Sequence, residues 1–145
     1  MRAPIYLYRS GLGWILGHRF LMMAHTGRKT GRRRYVVLEV VDRDPAHNVY
    51  YIASGFGEGS DWLRNVQRNP RVEVRVAFQQ FDATARRMTC DEATTVLRRY
   101  AQAHPYAIQK LASFFLGDEA KQAAELPQRM ATVMPMVELR PLDAV

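Results

Sequence analysis

A chain of 145 residues reads as one domain, long enough to bury about 70% of its unfolded surface without covalent staples. Its one cysteine, Cys90, excludes an internal disulfide, and four scattered histidines give no zinc-ligand spacing, a usage that points to a reducing, cytoplasmic setting. The net charge of +7 is concentrated: residues 1–38 hold eight basic residues and no acid, while the remaining 107 residues sum to −1. An anionic partner is therefore expected at the first quarter of the chain, whether nucleic acid, an anionic membrane surface or an acidic small ligand.

Tyr8, Leu12, Ile15 and Leu16 fall at i, i+4, i+7 and i+8 and predict an amphipathic helix over residues 1–17, with Arg2 and Arg9 on another face. Gly11, Gly13 and Gly17 weaken it by ~1 kcal/mol each relative to alanine, so it needs a surface to lie on. Two surfaces qualify: its own barrel, or an anionic membrane with Trp14 near the interface. The apolar stretch from Ile5 to Ala24 is interrupted by Arg9, His18 and Arg19, so no membrane span is expected. The run around Leu12 to Leu16 is too short, and lacks a small-residue cleavage site, for a secretion signal.

Residues 19–25 form a short apolar, strand-like run. His25-Thr26-Gly27-Arg28-Lys29-Thr30-Gly31-Arg32-Arg33-Arg34 follows, with five cations, two hydroxyls and two glycines in ten residues. Glycines let backbone approach a ligand, hydroxyls and amides donate to it, and arginine grips phosphate or carboxylate in a two-pronged fork. The stretch reads as an anion-binding turn. It feeds a strand over residues 35–41, apolar on both faces as in a buried strand.

Asp44-Pro45 and His47-Asn48 mark a turn, and residues 49–54 form a third strand. Gly55, Gly57 and Gly59 make a loop, after which Ser60 or Asp61 caps a short helix over residues 62–68 that Asn69-Pro70 closes. Val72, Val74 and Val76 alternate with charged residues, and Phe81, Ala83 and Ala85 supply the hairpin partner. Thr89 and Glu92 have capping-box spacing ahead of a helical stripe through Tyr100. Pro105 breaks it, a second stripe runs to Gly117, and a third short helix is expected over residues 118–126. A last strand over residues 133–139 carries Pro135, which suits a sheet edge or an unpaired amide. About six strands joined by short turns, with no helix between residues 35 and 54, predict an α+β domain around an antiparallel barrel rather than a doubly wound parallel sheet.

These residues resemble the deazaflavin-dependent nitroreductase family of the flavin-reductase split-barrel superfamily. Its Thr-Gly-Arg-Lys-Ser-Gly run stands as Thr26-Gly27-Arg28-Lys29-Thr30-Gly31, with Arg34 in the following arginine position. A second block comprises Ala53-Ser54, the glycine loop, Trp62, Asn65 and Asn69-Pro70-Arg71-Val72, and the resemblance covers residues 5–88. Thr30 replaces the usual serine, Leu63 a common tyrosine, and Val37 a frequent proline. The segment after Thr89 matches least; in the family it helps form the substrate side.

The resemblance implies a single split barrel over residues 1–145, with the N-terminal helix at 1–17 and a helical insert at 89–127. It implies a reduced 8-hydroxy-5-deazaflavin (coenzyme F420) passing a hydride to an electron-poor quinone, nitro compound or conjugated ketone, the protein's part being to bind and orient. The cofactor is a phosphodiester with a glutamate tail. Arg28, Lys29 and Arg34 would hold its phosphate and carboxylates, with Thr30 and the amides around Gly31 adding hydrogen bonds. Ser54 and the Gly55 amide would reach the polar edge of the ring, and Trp62 and Asn65 would shape the pocket wall. Tyr100, Tyr106 and His25 are the candidates for a proton donor, against ordinary packing for the tyrosines and a strand-end or cofactor contact for His25.

A phosphate-binding P-loop is excluded, because no glycine precedes Lys29 and a strand follows where that motif needs a helix. A nucleic-acid module would share the charge but shows none of its helix or sheet motifs. A flavin mononucleotide (FMN)-binding or non-catalytic split barrel is the other reading. The expected acceptor is a small molecule, the expected state a monomer or homodimer, and the expected location cytoplasmic, with peripheral contact at an anionic membrane as an option.

Overall fold

Period-two alternation and tight turns curl one antiparallel sheet into a barrel in the computed structural model, which describes residues 17–55, 57–117 and 126–142. The strands are β1 (Phe20–Thr26), β2 (Arg33–Asp44), β3 (Val49–Ala53), β4 (Arg71–Val76), β5 (Gln79–Arg87) and β6 (Met136–Pro141). They close in the order β1-β2-β3-β6-β5-β4, with β4 returning to β1. The helices are α1 (Asp61–Arg68), α2 (Cys90–Ala103), α3 (Pro105–Leu116) and α4 (Leu126–Val133). The fold is the expected α+β barrel. The expected N-terminal helix and most of the expected helix over 118–126 lie outside the described residues.

The barrel interior takes one face of each strand: Leu21 and Met23, Tyr50 and Ile52, Val72, Val74 and Val76, Ala83 and Ala85, Val137 and Leu139. Tyr50 is fully buried, and its hydroxyl is satisfied by His18 Nδ1 at 2.9 Å. Helix α1 supplies Trp62, Leu63 and Val66 to this same core. A second apolar cluster lies between the helices and the outside of the barrel, where Val96, Leu97 and Tyr100 of α2 meet Met130 of α4, Met134 and Met136.

The two clusters explain β2. Its apolar residues are half-buried rather than buried, and they serve opposite faces. Val36, Leu38 and Val40 pack toward the barrel, whereas Val41 packs into the helical cluster. A register shift between Val40 and Asp42 leaves Val41 as the extra residue of a β-bulge, which redirects it to the outer face.

The last strand starts later than its sequence pattern suggests. Leu126–Val133 is helical, with Pro127 in the first turn where no intrahelical donor is required, and Met130 and Met134 stack one turn apart. Strand β6 therefore begins at Met136. It is no edge, since it pairs with β3 on one side and β5 on the other. Pro135 stands just before it, and its carbonyl accepts from the Ser54 amide at 2.9 Å.

Helix α2 starts as its sequence prescribes. Thr89 Oγ1 accepts from the Glu92 amide at 3.2 Å, and Glu92 returns a carboxylate to the Thr89 amide at 2.9 Å. Arg86 on β5 grips Glu92 with both terminal nitrogens, at 2.9 and 2.8 Å, and also reaches the buried Glu138 at 3.1 Å. Arg86 first, then the Thr89 amide, holds the Glu92 carboxyl down at about 2. Thr89→Ala removes the cap, and about 1 kcal/mol of stability is expected to go with it, read as a lower urea midpoint at unchanged slope.

Candidate functional site

The basic motif forms the connection from β1 to β2. The Gly27 amide donates to the Arg32 carbonyl and the Gly31 amide to the Gly27 carbonyl, both at 2.8 Å. Gly31 sits at φ +70°, a conformation side chains rarely adopt. A Cβ at Gly27 would stand 3.1 Å from Thr30 Oγ1 and 3.3 Å from Arg34 Nε, so this glycine permits the fold-back of the turn. Thr30 Oγ1 accepts from the Arg32 amide at 3.3 Å, which leaves its own hydrogen for a ligand.

Helix α1 docks against this turn through Asn65, which is 2% exposed. The Arg28 amide and Arg28 Nη1 both donate to Asn65 Oδ1, at 3.0 and 2.8 Å, and Arg28 Nη2 reaches Asp61 at 3.3 Å. The other arm of Asn65 meets His25 Nδ1 at 3.1 Å. Burial, then the positive charge of Arg34, pushes the His25 imidazole down to about 4 against a smaller opposing effect of Asp61. His25 is thus neutral near pH 7.

Ser54 is fully buried. Its hydroxyl donates to the Gly57 carbonyl at 2.6 Å and meets the Ser60 hydroxyl at 2.6 Å, which closes the glycine loop onto the start of α1. Arg87 grips Glu58 of that loop with both terminal nitrogens. The space a Cβ of Gly55 would occupy is open. Trp62, in the first turn of α1, is 7% exposed.

Two adjoining clefts result. One, of about 250 Å³, is lined by Gly27, Arg28, Lys29, Thr30, Arg34, Asp61 and Asn65. The other, of about 430 Å³, is lined by His25, Arg33, Arg34, Tyr35, Val36, Ser60, Asp61 and Trp62. They share Arg34 and Asp61. The first offers cations, a hydroxyl and turn amides suited to phosphate or carboxylate; the second offers flat apolar walls suited to an aromatic ring. A third cleft, of about 230 Å³, lies beyond Gly31 and His25 and is walled by charged residues of β2, β4 and β5.

The structure therefore gathers Arg28, Lys29, Thr30, Arg34, Asn65, Trp62 and His25 around two connected clefts, with Gly31 at the rim of the third. Arg28 is a strut as well as a wall residue, since its guanidinium is spent on Asn65 and Asp61. Ser54 holds the loop from within. Tyr100 and Tyr106 line none of these clefts. Tyr100 is buried in α2 against His104, with Glu39 among the charges it senses, and Tyr106 stands 82% exposed on α3. Glu39 is five residues along β2 from Arg34, about 17 Å at ~3.3 Å per residue.

Sequence reading assigns no wall role to Tyr35 or Val36, and treats Ser60 and Asp61 only as alternative caps of the following helix. Their signal was position alone: two follow the motif on β2, and two lead into α1.

The donor set and the ring-sized cleft fit a phosphorylated, carboxylate-bearing cofactor with a flat head. The comparisons with known proteins agree. A solved structure of an F420-H2-dependent reductase is 22% identical, with a TM-score of 0.59 over 86% of this chain and 96% of that one. A structure described as a domain-swapped dimer is 21% identical, with a TM-score of 0.59 over 95% of this chain and 100% of that one. A pyridoxamine 5'-phosphate oxidase-related, FMN-binding protein from Nostoc punctiforme is 15% identical, with a TM-score of 0.53 over 95% of this chain and 76% of that one. At these identities the likenesses establish the split-barrel fold. The family model for F420H2-dependent quinone reductases matches residues 4–112, taking in the basic turn, the glycine loop and α1. Three-quarters of the chain, including both clefts, is thus accounted for by one pattern, and the chain belongs to the F420H2-dependent quinone reductase family, as a deazaflavin-dependent oxidoreductase whose cofactor is coenzyme F420.

Proposed function

We propose that this chain binds reduced coenzyme F420 across the two clefts, phosphate and glutamate tail toward Lys29 and Arg34, ring toward Trp62, Tyr35 and Val36, and presents it to a small acceptor of the quinone class. When bound, the cofactor supplies a hydride from its ring. The observation that carries the reading is the shared Arg34: it borders both clefts, and neither it nor Lys29 is committed to an ion pair among the described residues. Arg28 holds the turn to α1, Thr30 and the turn amides add neutral donors, and Ser54 keeps the glycine loop closed, while Gly55 lines neither cleft. Nothing in these clefts forms an acid–base pair, so catalysis rests on proximity and orientation, which are worth up to ~7–11 kcal/mol.

A homodimer belongs to the same proposal, on the strength of the domain-swapped structural relative. So does peripheral contact with an anionic membrane, which rests on the apolar stripe and basic residues of the first 17 positions, Arg2, Arg9 and Trp14 among them. Among the described residues no helix is long and apolar enough to cross a membrane.

The test is a pair of titrations of the apoprotein, one with reduced deazaflavin and one with FMN, each at low and high salt. Deazaflavin is expected to bind more tightly and to weaken as salt rises, because exposed tail contacts are screened. Tighter, salt-insensitive binding of FMN would overturn the assignment of the tail to Lys29 and Arg34.

A further inference from the structure

We propose that Asn65 holds His25 as a neutral imidazole protonated on Nε2, and that this N–H donates to an uncharged oxygen or nitrogen of the ring bound in the larger cleft. Only the occupant of the cleft rests on the functional reading above; the state of the imidazole does not.

The orientation of the Asn65 carboxamide follows from its partners. Two donors of Arg28, the backbone amide at 3.0 Å and Nη1 at 2.8 Å, converge on one atom of the side chain, and only the carbonyl oxygen accepts. The atom 3.1 Å from His25 Nδ1 is therefore the NH2 group, a donor. His25 Nδ1 must accept, so the ring proton sits on Nε2. A second proton on Nδ1 would set N–H against N–H.

The charges around the ring favour the neutral state. Arg34 lies opposite His25 in the β1–β2 pair, and Arg28 is bonded to the same Asn65. Asp61 on α1 is the opposing charge, and burial outweighs it.

The side chain of His25 lies in a residue only 5% exposed, yet among the described residues nothing accepts from Nε2. Nε2 is not one of the buried atoms left without a partner, so it opens on the clefts that His25 lines, where its N–H is placed to donate to an occupant. His25 borders two clefts. The one on the β4 side is walled by Arg33, Arg71, Glu73 and Asp82, which pair with one another. The larger one carries Trp62, Tyr35 and Val36, the walls that suit a ring. Asn65 is then a positioning residue, joining the Arg28 strut of the basic turn to the imidazole that faces the ring.

The experiment has two arms. In full-length protein labelled with 15N-histidine, long-range 15N–1H spectra report the protonation of each ring nitrogen without any ligand, with His25 assigned by its loss in His25→Gln. The wild type is expected to show His25 as a single neutral Nε2–H tautomer from pH 8 to 5, and Asn65→Leu a mixture of tautomers. A wild-type His25 protonated on Nδ1, or one that titrates near 6.5, overturns the proposal whether or not coenzyme F420 binds. The second arm compares binding of reduced deazaflavin to His25→Gln, which keeps a donor at the Nε2 position, and to His25→Leu, which does not. His25→Leu is expected to bind about 3- to 10-fold more weakly than His25→Gln, the range of a neutral hydrogen bond. Equal affinities, with the tautomer confirmed, overturn the donor role while leaving the cofactor assignment standing.

Discussion

Replacing Lys29 and Arg34 together with alanine is expected to weaken binding of reduced coenzyme F420 by about 10²- to 10⁴-fold while leaving the barrel intact. Each is an exposed cation bordering the smaller cleft, and neither is committed to an ion pair among the described residues. Charge-assisted hydrogen bonds are worth ~1.5–3 kcal/mol each, and two of them give that range of affinities. Because both meet one ligand, the single substitutions need not add to the double. Fluorescence titration measures the affinity, and a thermal melt checks the fold. Affinity within threefold of wild type at low salt would place the anionic tail elsewhere. Arg28→Ala is the informative contrast. Its guanidinium serves Asn65 and Asp61, so its removal loosens the junction of turn and helix and lowers stability as well as binding.

Leu63→Ala is expected to cost about 3–4 kcal/mol of stability, a large share of what a domain of this size has in reserve. Leu63 is fully buried in the barrel core beside Val66 and Trp62. Its truncation leaves a cavity that barrel strands, fixed by pairing on both sides, cannot readily close. Chemical denaturation measures the loss. The same helix carries Trp62 and Asn65, so cofactor affinity is expected to fall too, although Leu63 lines neither of the two clefts. A loss below 1 kcal/mol would mean that α1 covers the barrel end without filling it.

Helix α1 shows how far local sequence reaches. Its existence, its closure at Asn69-Pro70 and the capping box of α2 are legible because each depends on contacts a few residues apart. So are the Val72–Val76 alternation and the hairpin beyond it, since a strand with one face in a core writes its period into the chain. The both-faced apolar pattern of β2 was legible too, but its meaning was not. The barrel covers one face, α2 and its neighbours part of the other, and a bulge at Val41 divides them. At α4 the apolar spacing of Met130, Met134 and Met136 suited helix and strand alike, and only packing against α2 decided for helix up to Val133.

By itself the sequence determined the antiparallel barrel class, the basic, glycine-bearing turn with its Arg28, Lys29, Thr30 and Arg34, and the family pattern that names the cofactor. The first two follow from periodicity, turn chemistry and concentrated charge, all of which are local; the cofactor follows from the family resemblance alone. The tertiary structure alone decided which motif residues border the clefts and which hold the scaffold. It spent Arg28 on a helix 37 residues away, joined Asn65 to His25 across 40, turned the Ser54 hydroxyl inward, and set Tyr100 and Tyr106 apart from the clefts. The physical reason is that a polar side chain's role depends on the partner that satisfies it, and closure of the barrel brings that partner from a distant part of the chain.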